Sequence, residues 1–167
     1  RHPVRFLEGY QGLLQVDGYS AYGALADPNR VGGPLTLAYC WSHCRRKFYD
    51  LASTGNAPVA TEALRRFGEI YAIETGIRGQ SAADRRAVRQ SRTRPLVEAF
   101  KPWLEPQLGR VSGKSRLAEA IRYTLGRWDG LIRFLDDGRL DLDTNAVERT
   151  MRPIALNRKN ALFAGSD

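Results

Sequence analysis

Two carboxylates stand out by type and setting. Asp17 closes the apolar run Leu13-Leu-Gln-Val-Asp17 and is followed at once by Gly18. An acid there sits at the tip of a strand, where the backbone turns and a ligand can approach. Glu148, in Asp143-Thr-Asn-Ala-Val-Glu-Arg149, stands near the start of a helix beside arginines able to hold phosphates. Carboxylates are hard oxygen ligands, so two of them in such settings point to magnesium or manganese and to phosphoryl-transfer chemistry. Each also has a plainer reading. Asp-Gly is a common turn pair, and Glu148 could pair with Arg152 one helical turn on.

Other groups qualify this picture. Cys40, His43 and Cys44 lie close together, but tetrahedral zinc takes four ligands and His2 is the only other histidine. Cys40 therefore reads as a buried strand end, with His43 reaching a polar partner or the site. Basic residues form three groups. Arg45, Arg46 and Lys47 follow His43; Arg149, Arg152, Arg158 and Lys159 surround Glu148; Arg78, Arg85, Arg86, Arg89, Arg92 and Arg94 share their stretch with a single acid, Asp84. One such group is ordinarily a solvated face. Three of them favour contact with nucleic-acid phosphates, and most of the cations are arginine, which bonds phosphate in a bidentate fashion.

These residues need elements to position them. Pro3 can start a short helix over 3–10, and Leu13–Asp17 is a buried strand. Tyr19–Ala26 reads as helix, Leu35–Cys40 as a second strand and Trp41–Ser53 as a helix. From there to Asp136 the pattern is helical. Pro58–Arg78 carries Leu64, Phe67 and Tyr71 on one stripe; Ala82–Gln90 is short and charged; Pro95–Leu108 should bend at Pro102. Ser115–Leu135 carries a continuous stripe of Leu117, Ile121, Leu125, Trp128, Ile132 and Leu135, interrupted in composition by Gly126 and Gly130. Asp143 or Thr144 caps a last helix. Asn145, Glu148, Arg149 and Arg152 would share its polar face, and Val147, Met151 and Ile154 its buried one. Trp41, Trp103 and Trp128 read as core.

Bulk properties agree with a folded polyanion-binding chain. Its 167 residues suit one domain or a core with an insertion. A net charge of +8 favours a polyanionic partner such as nucleic acid over the plainer reading of a soluble protein that happens to be basic. Two cysteines make no disulfide framework, which points to the cytoplasm, and no apolar run approaches a membrane span.

Several segments together resemble one family: Leu14-Gln-Val-Asp-Gly-Tyr-Ser-Ala-Tyr22, Cys40-Trp-Ser-His-Cys-Arg-Arg-Lys-Phe48, Phe134-Leu-Asp-Asp-Gly-Arg139, Asn145-Ala-Val-Glu-Arg149 and Arg152-Pro-Ile-Ala-Leu-Asn-Arg-Lys-Asn160 followed by Phe163-Ala-Gly-Ser166. In order and length they are similar to the DDE transposases of the bacterial insertion-sequence-sixty-six family. The resemblance implies an α/β, predominantly helical fold, in which a partial ribonuclease-H-like core lacking its first strands is interrupted by a large all-helical insertion. Residues 1–54 would carry strands four and five of that core, 55–138 the insertion, and 139–167 the helix with the third acidic residue. Asp17 would be the second catalytic acid and Glu148 the third, supported by His43 and Asn145. Arg45, Arg46, Lys47, Arg149, Arg152, Arg158 and Lys159 would meet DNA. The implied activity is DNA cleavage and strand transfer with two Mg2+ or Mn2+ ions, on element ends and target, by a bacterial homo-oligomer associated with the nucleoid. The family's first aspartate is expected upstream of Arg1, so the segment alone should be a poor catalyst. The alternative is a non-catalytic DNA-binding remnant.

Overall fold

The computed structural model describes residues 2–145, 148–151 and 153. A short helix α1 (His2–Phe6) leads to strand β1 (Leu13–Val16), and strand β2 (Thr36–Tyr39) lies beside it. The pair is parallel, with Leu13 opposite Thr36 and Val16 opposite Tyr39. Parallel strands need a crossover, and here a 3-10 segment, Ser20–Ala26, serves. The 3–10 helix expected from the sequence stops at Phe6, and Gly9 turns the chain with a φ of 78°. The crossover expected as an ordinary helix is the tighter 3-10 form.

Helix α2 (Trp41–Ala52) springs directly from the end of β2. There follow α3 (Pro58–Gly76), α4 (Ala82–Val88), a π-helical turn (Arg89–Thr93), α5 (Arg94–Leu104), a 3-10 turn (Glu105–Arg110), α6 (Arg116–Leu125), α7 (Trp128–Leu131) and a last 3-10 turn (Ile132–Leu135). The molecule is thus mostly helical with a small parallel sheet, an α/β arrangement. No helix among the described residues is long and apolar enough to cross a membrane.

Trp41 organises the core. It is fully buried, and Phe67, Phe100, Trp128 and Phe134 surround it with ring centroids 5.7–6.4 Å away. These distances suit tilted and edge-on aromatic pairs. Its indole N–H donates to the Leu131 carbonyl at 2.8 Å, so the one polar atom of the ring is not stranded. Leu140 and Leu142 join the same cluster. All three sequence segments therefore share one apolar interior. A smaller cluster of Val16, Leu25, Leu35 and Leu37 seals the sheet against its crossover.

The stripe expected to run unbroken through Ser115–Leu135 is divided. Ser115 caps α6 by accepting the Ala118 amide at 3.1 Å, and α6 ends at Gly126. The chain restarts at Trp128, which lets Gly130 lie against β2. A Cβ on Gly130 would stand 2.8 Å from the Leu37 carbonyl and 2.4 Å from the Tyr39 ring. A single straight rod could not lay α6 along α2 and α7 against β2. The helix expected over Pro95–Leu108 runs through Pro102, ends at Leu104 and tightens into the 3-10 turn.

The arginines between residues 78 and 94 behave differently from the expected phosphate-binding group. Arg89 has no exposed surface and is held by both Glu74 carboxylate oxygens and by the carbonyls of Phe134, Asp137 and Leu140. Arg85 binds Asp141 and the Leu140 carbonyl, and Arg94 binds Asp136 and Glu98. Three of the six are struts between helices. A buried charge needs such partners, because desolvating it alone is costly.

Candidate functional site at the carboxyl ends of the strands

The site is built on the ends of β1 and β2. The Cys40 amide donates to the Val16 carbonyl at 3.1 Å, extending the ladder by one step and setting Asp17 and Cys40 side by side where both strands stop. Ligands of parallel sheets gather at that edge, because the strands end there and the following loops diverge. Asp17 turns the chain by accepting the Tyr19 amide on Oδ1 at 2.8 Å. Its other oxygen makes no hydrogen bond among the described residues.

The segment after the helices is tied to the same edge. Gln15 donates to the Asp141 carbonyl at 2.6 Å, and the Trp41 amide donates to the Leu142 carbonyl at 3.1 Å. Asp143 then accepts both the backbone amide and the side-chain amide of Asn145. Of the two expected caps, Asp143 is the one whose side chain accepts an amide; the Thr144 carbonyl accepts the Glu148 amide at 3.0 Å, and its hydroxyl donates to Glu148 Oε1 at 2.8 Å. Residues 145, 148–151 and 153 are helical. Met151, expected on the buried face of this helix, is 54% exposed. Nothing in the described structure covers it, since the helix meets the rest of the chain through its polar end.

Cys40 joins the two halves. Its sulfur lies 3.2 Å from the Thr144 amide and 3.3 Å from the Thr144 hydroxyl, while the Ser42 hydroxyl approaches to 3.0 Å. Ser42 also donates to Asn145 at 3.3 Å. His43 Nε2 stands 3.8 Å from Glu148 Oε1. Ligand atoms of Cys40, His43 and Glu148 all lie within 4.8 Å of one another. Asp17 and Glu148, far apart in sequence, are therefore both neighbours of Cys40. His43 meets Glu148 and Asn145 meets Ser42 and Asp143; Asp17 approaches from the adjoining strand and is not a member of the Cys-His-Glu group.

The helices supply a second wall that sequence reasoning missed. Tyr123 of α6 reaches the turn after Asp17. Gly18 has a φ of 90°, and a Cβ there would stand 2.5 Å from the Tyr123 hydroxyl. Glycine is required twice over, for the left-handed backbone and for the space. Arg127 lies 3.7 Å above the Tyr123 ring and donates to the Gly18 carbonyl at 3.2 Å, while Lys47 approaches the same ring at 4.6 Å. Burial holds the Tyr123 phenol above its ordinary range; Arg127 opposes the shift and Asp17 adds to it. The available signal was the spacing of Tyr123 and Arg127, one helical turn apart.

The other cations divide. Arg45 and Arg46 are exposed on α2, next to His43. Lys47 is half-buried and occupied by Glu119 at 3.1 Å. Arg149 is exposed and lines a cleft of about 260 Å³ that mixes Arg78 and Arg85 with Glu74, Asp141 and Asp143. Arg152, Arg158 and Lys159 lie outside the described residues. Cys44 does not face the site. It is fully buried on the core side of α2, and burial pushes its thiol up to about 12, against the pull of a Thr124 hydrogen bond.

The sequence matches the pattern of the family described as "Transposase IS66 family" over residues 1–167. The chain belongs to that family. Its IS66 relatives include three uncharacterized proteins of Sinorhizobium fredii (strain NBRC 101917 / NGR234). The protein y4qI is 48% identical over 98% of this chain and 31% of its own length. The protein y4jD is 45% identical over 99% and 33%, and y4hP is 40% identical over 99% and 32%. The chain thus spans about a third of the length of these IS66 relatives. No solved structure matches it.

Proposed function

We propose that this chain is part of the catalytic domain of a DDE transposase, and that Asp17 and Glu148 are two of the carboxylates that hold divalent metal for DNA cleavage and strand transfer. The observation that carries the reading is the meeting of the β1 end and the late helix at Cys40, which brings a strand-end acid and a helix acid to one edge. In this reading the two strands and α2 belong to a ribonuclease-H-like core and the helices from Pro58 to Leu135 to its insertion.

The donor set fits Mg2+ or Mn2+. Asp17 and Glu148 offer hard oxygens, Glu148 is 47% exposed, and each carboxylate keeps one oxygen free of hydrogen bonds among the described residues. When bound, a pair of such ions would activate an attacking oxygen and stabilise the leaving one in in-line displacement at phosphorus. The chain's own part is positioning. Asp17 is fixed by the Tyr19 amide and by the Gly18 turn that Tyr123 and Arg127 clamp. Glu148 is fixed by Thr144, with His43 alongside. Arg45, Arg46 and Arg149 are exposed cations beside the acids and would hold backbone phosphates; Arg152, Arg158 and Lys159 are assigned the same role from their place in the motif. In the whole protein the DNA partners would be element ends and target, brought together by a homo-oligomer.

The test uses the full-length protein, magnesium and DNA carrying the element's ends. Glu148→Gln and Asp17→Asn should each lower cleavage and strand transfer by about a hundredfold or more, since metal stabilisation of the transition state is worth several kcal/mol. DNA binding measured by salt titration should survive both changes. Full strand transfer by Glu148→Gln removes the assignment. A DNA-binding remnant would instead bind DNA indifferently to magnesium and cleave nothing.

A further inference from the structure

Beside the two acids lies a donor set of another kind. Cys40 Sγ, a His43 ring nitrogen and a Glu148 oxygen converge within 4.8 Å of one another, offering one sulfur, one nitrogen and one oxygen. Magnesium avoids the first two, whereas zinc-class cations favour them. We infer that these three side chains form a site for a borderline divalent cation of the zinc class, and that filling it withdraws Glu148 from magnesium.

Several features support this. Sulfur, nitrogen and oxygen bound to zinc at about 2.0–2.3 Å stand roughly 3.3–3.6 Å apart, so the group needs a closure of about 1 Å. His43 and Glu148 are 34% and 47% exposed and can rotate to supply it. The sulfur is already oriented by the Thr144 amide, with the Thr144 and Ser42 hydroxyls beside it. Among the described residues His43 Nδ1 is buried with no hydrogen-bond partner, so no bond there competes to fix the ring. On binding, the Cys40 thiol gives its proton to solvent; thiolate and carboxylate then offset the two positive charges. Three protein ligands leave a position for water, the pattern of an open zinc site. The sequence pattern alone missed this because Cys44, the apparent third ligand, faces the core, while the actual third ligand, Glu148, arrives from the far end of the chain.

The first half of the proposal stands on geometry alone; the second rests on the reading of Glu148 as a magnesium ligand. Cobalt(II) and zinc(II) are titrated into the full chain in magnesium-containing buffer. The unaltered chain should take up one equivalent, with a thiolate-to-cobalt charge-transfer band that zinc abolishes. Cys40→Ser should lose the band, Cys44→Ala should keep it, and His43→Gln should weaken zinc binding by at least about tenfold. Circular dichroism shows whether each variant is folded, and half-exposed His43 provides a variant with little structural cost. No band in the unaltered chain, or a band that survives Cys40→Ser, overturns the site. In the full-length protein, zinc should inhibit magnesium-dependent cleavage, and His43→Gln should raise the half-inhibiting zinc concentration at least about tenfold. Equal inhibition of both overturns the competition. If no magnesium-dependent cleavage exists at all, the function proposed above falls, while the cobalt result still decides the metal site.

Discussion

The helical interior and the strand-end site use the same residue types to opposite ends. In the interior Arg89 has no exposed surface, and its guanidinium is answered by two carboxylate oxygens and three carbonyls. At the strand ends Arg45 and Arg46 stand exposed, Glu148 is half exposed, and His43 Nδ1 has no partner among the described residues. Groups desolvated and fully bonded hold the fold together. Groups left with spare bonding capacity at an accessible edge are the ones free to take a ligand. Local charge counting does not separate the two kinds; desolvation does.

The contrast breaks most sharply at Arg89. Arg89→Ala strands Glu74, which is 11% exposed, together with three carbonyls, and should cost about 3–5 kcal/mol in a urea denaturation series. Adding Glu74→Leu should recover only part of the loss, because the carbonyls of Phe134, Asp137 and Leu140 remain without a donor. A loss under about 1 kcal/mol would mean that Arg89 is not buried as described.

A smaller effect is expected where interior and site touch. Gly18→Ala places a Cβ 2.5 Å from the Tyr123 hydroxyl at a left-handed backbone position. Overpacking of this kind costs typically about 1–3 kcal/mol. Tyr123→Phe in the same background removes the clashing atom and should restore part of the stability. If the pair is simply additive, Tyr123 does not brace the Asp17 turn.

Much of this was legible in the chain. Strand-length apolar runs ending at Asp17 and Cys40 gave both strands, and the Pro58, Ala82 and Ser115 starts gave three helices, because periodicity is local. The Asp143 cap of the late helix was also readable. What was hidden depends on distant partners. The run from Arg78 to Arg94 resembles a polyanion surface until Glu74, Asp136, Asp141 and the Leu140 carbonyl are known to face it. The Cys40-His43-Cys44 trio resembles a local metal motif until helical geometry is applied. Cys44 falls with Trp41 and Phe48 at spacings of three and four, on the core face, while His43 is turned one residue away from it. Tyr123 reaching Gly18 from an insertion helix is a purely tertiary fact.

Cys44 gives the next contrast, now in pH. Its folded thiol is held at about 12 against an ordinary 9.0, so the folded state favours the protonated form. The sign follows. Stability from this group is complete below pH 9 and is lost as pH rises toward 12, because only the unfolded chain releases the proton there. The loss approaches about 1.4 kcal/mol per pH unit. Stability measured at pH 8 and pH 10 should therefore fall more for the unaltered chain than for Cys44→Ala. Identical pH slopes would place the thiol in contact with water.

The smallest expected effect separates the regions most cleanly, since it compares two hydroxyls at helix starts. Ser115 accepts only the Ala118 amide at the start of α6, and Ser115→Ala should cost about 1 kcal/mol of stability and nothing else. Thr144 stands at the start of the late helix, where it touches the Cys40 sulfur and donates to the Glu148 carboxylate. Thr144→Ala should cost a similar amount of stability, yet in the full-length protein it should lower strand cleavage well beyond the loss of folded molecules, while Thr144→Ser, which keeps the hydroxyl, should restore it. If Ser115→Ala and Thr144→Ala differ in stability alone, the late helix is held in place by contacts other than the one between Thr144 and Glu148.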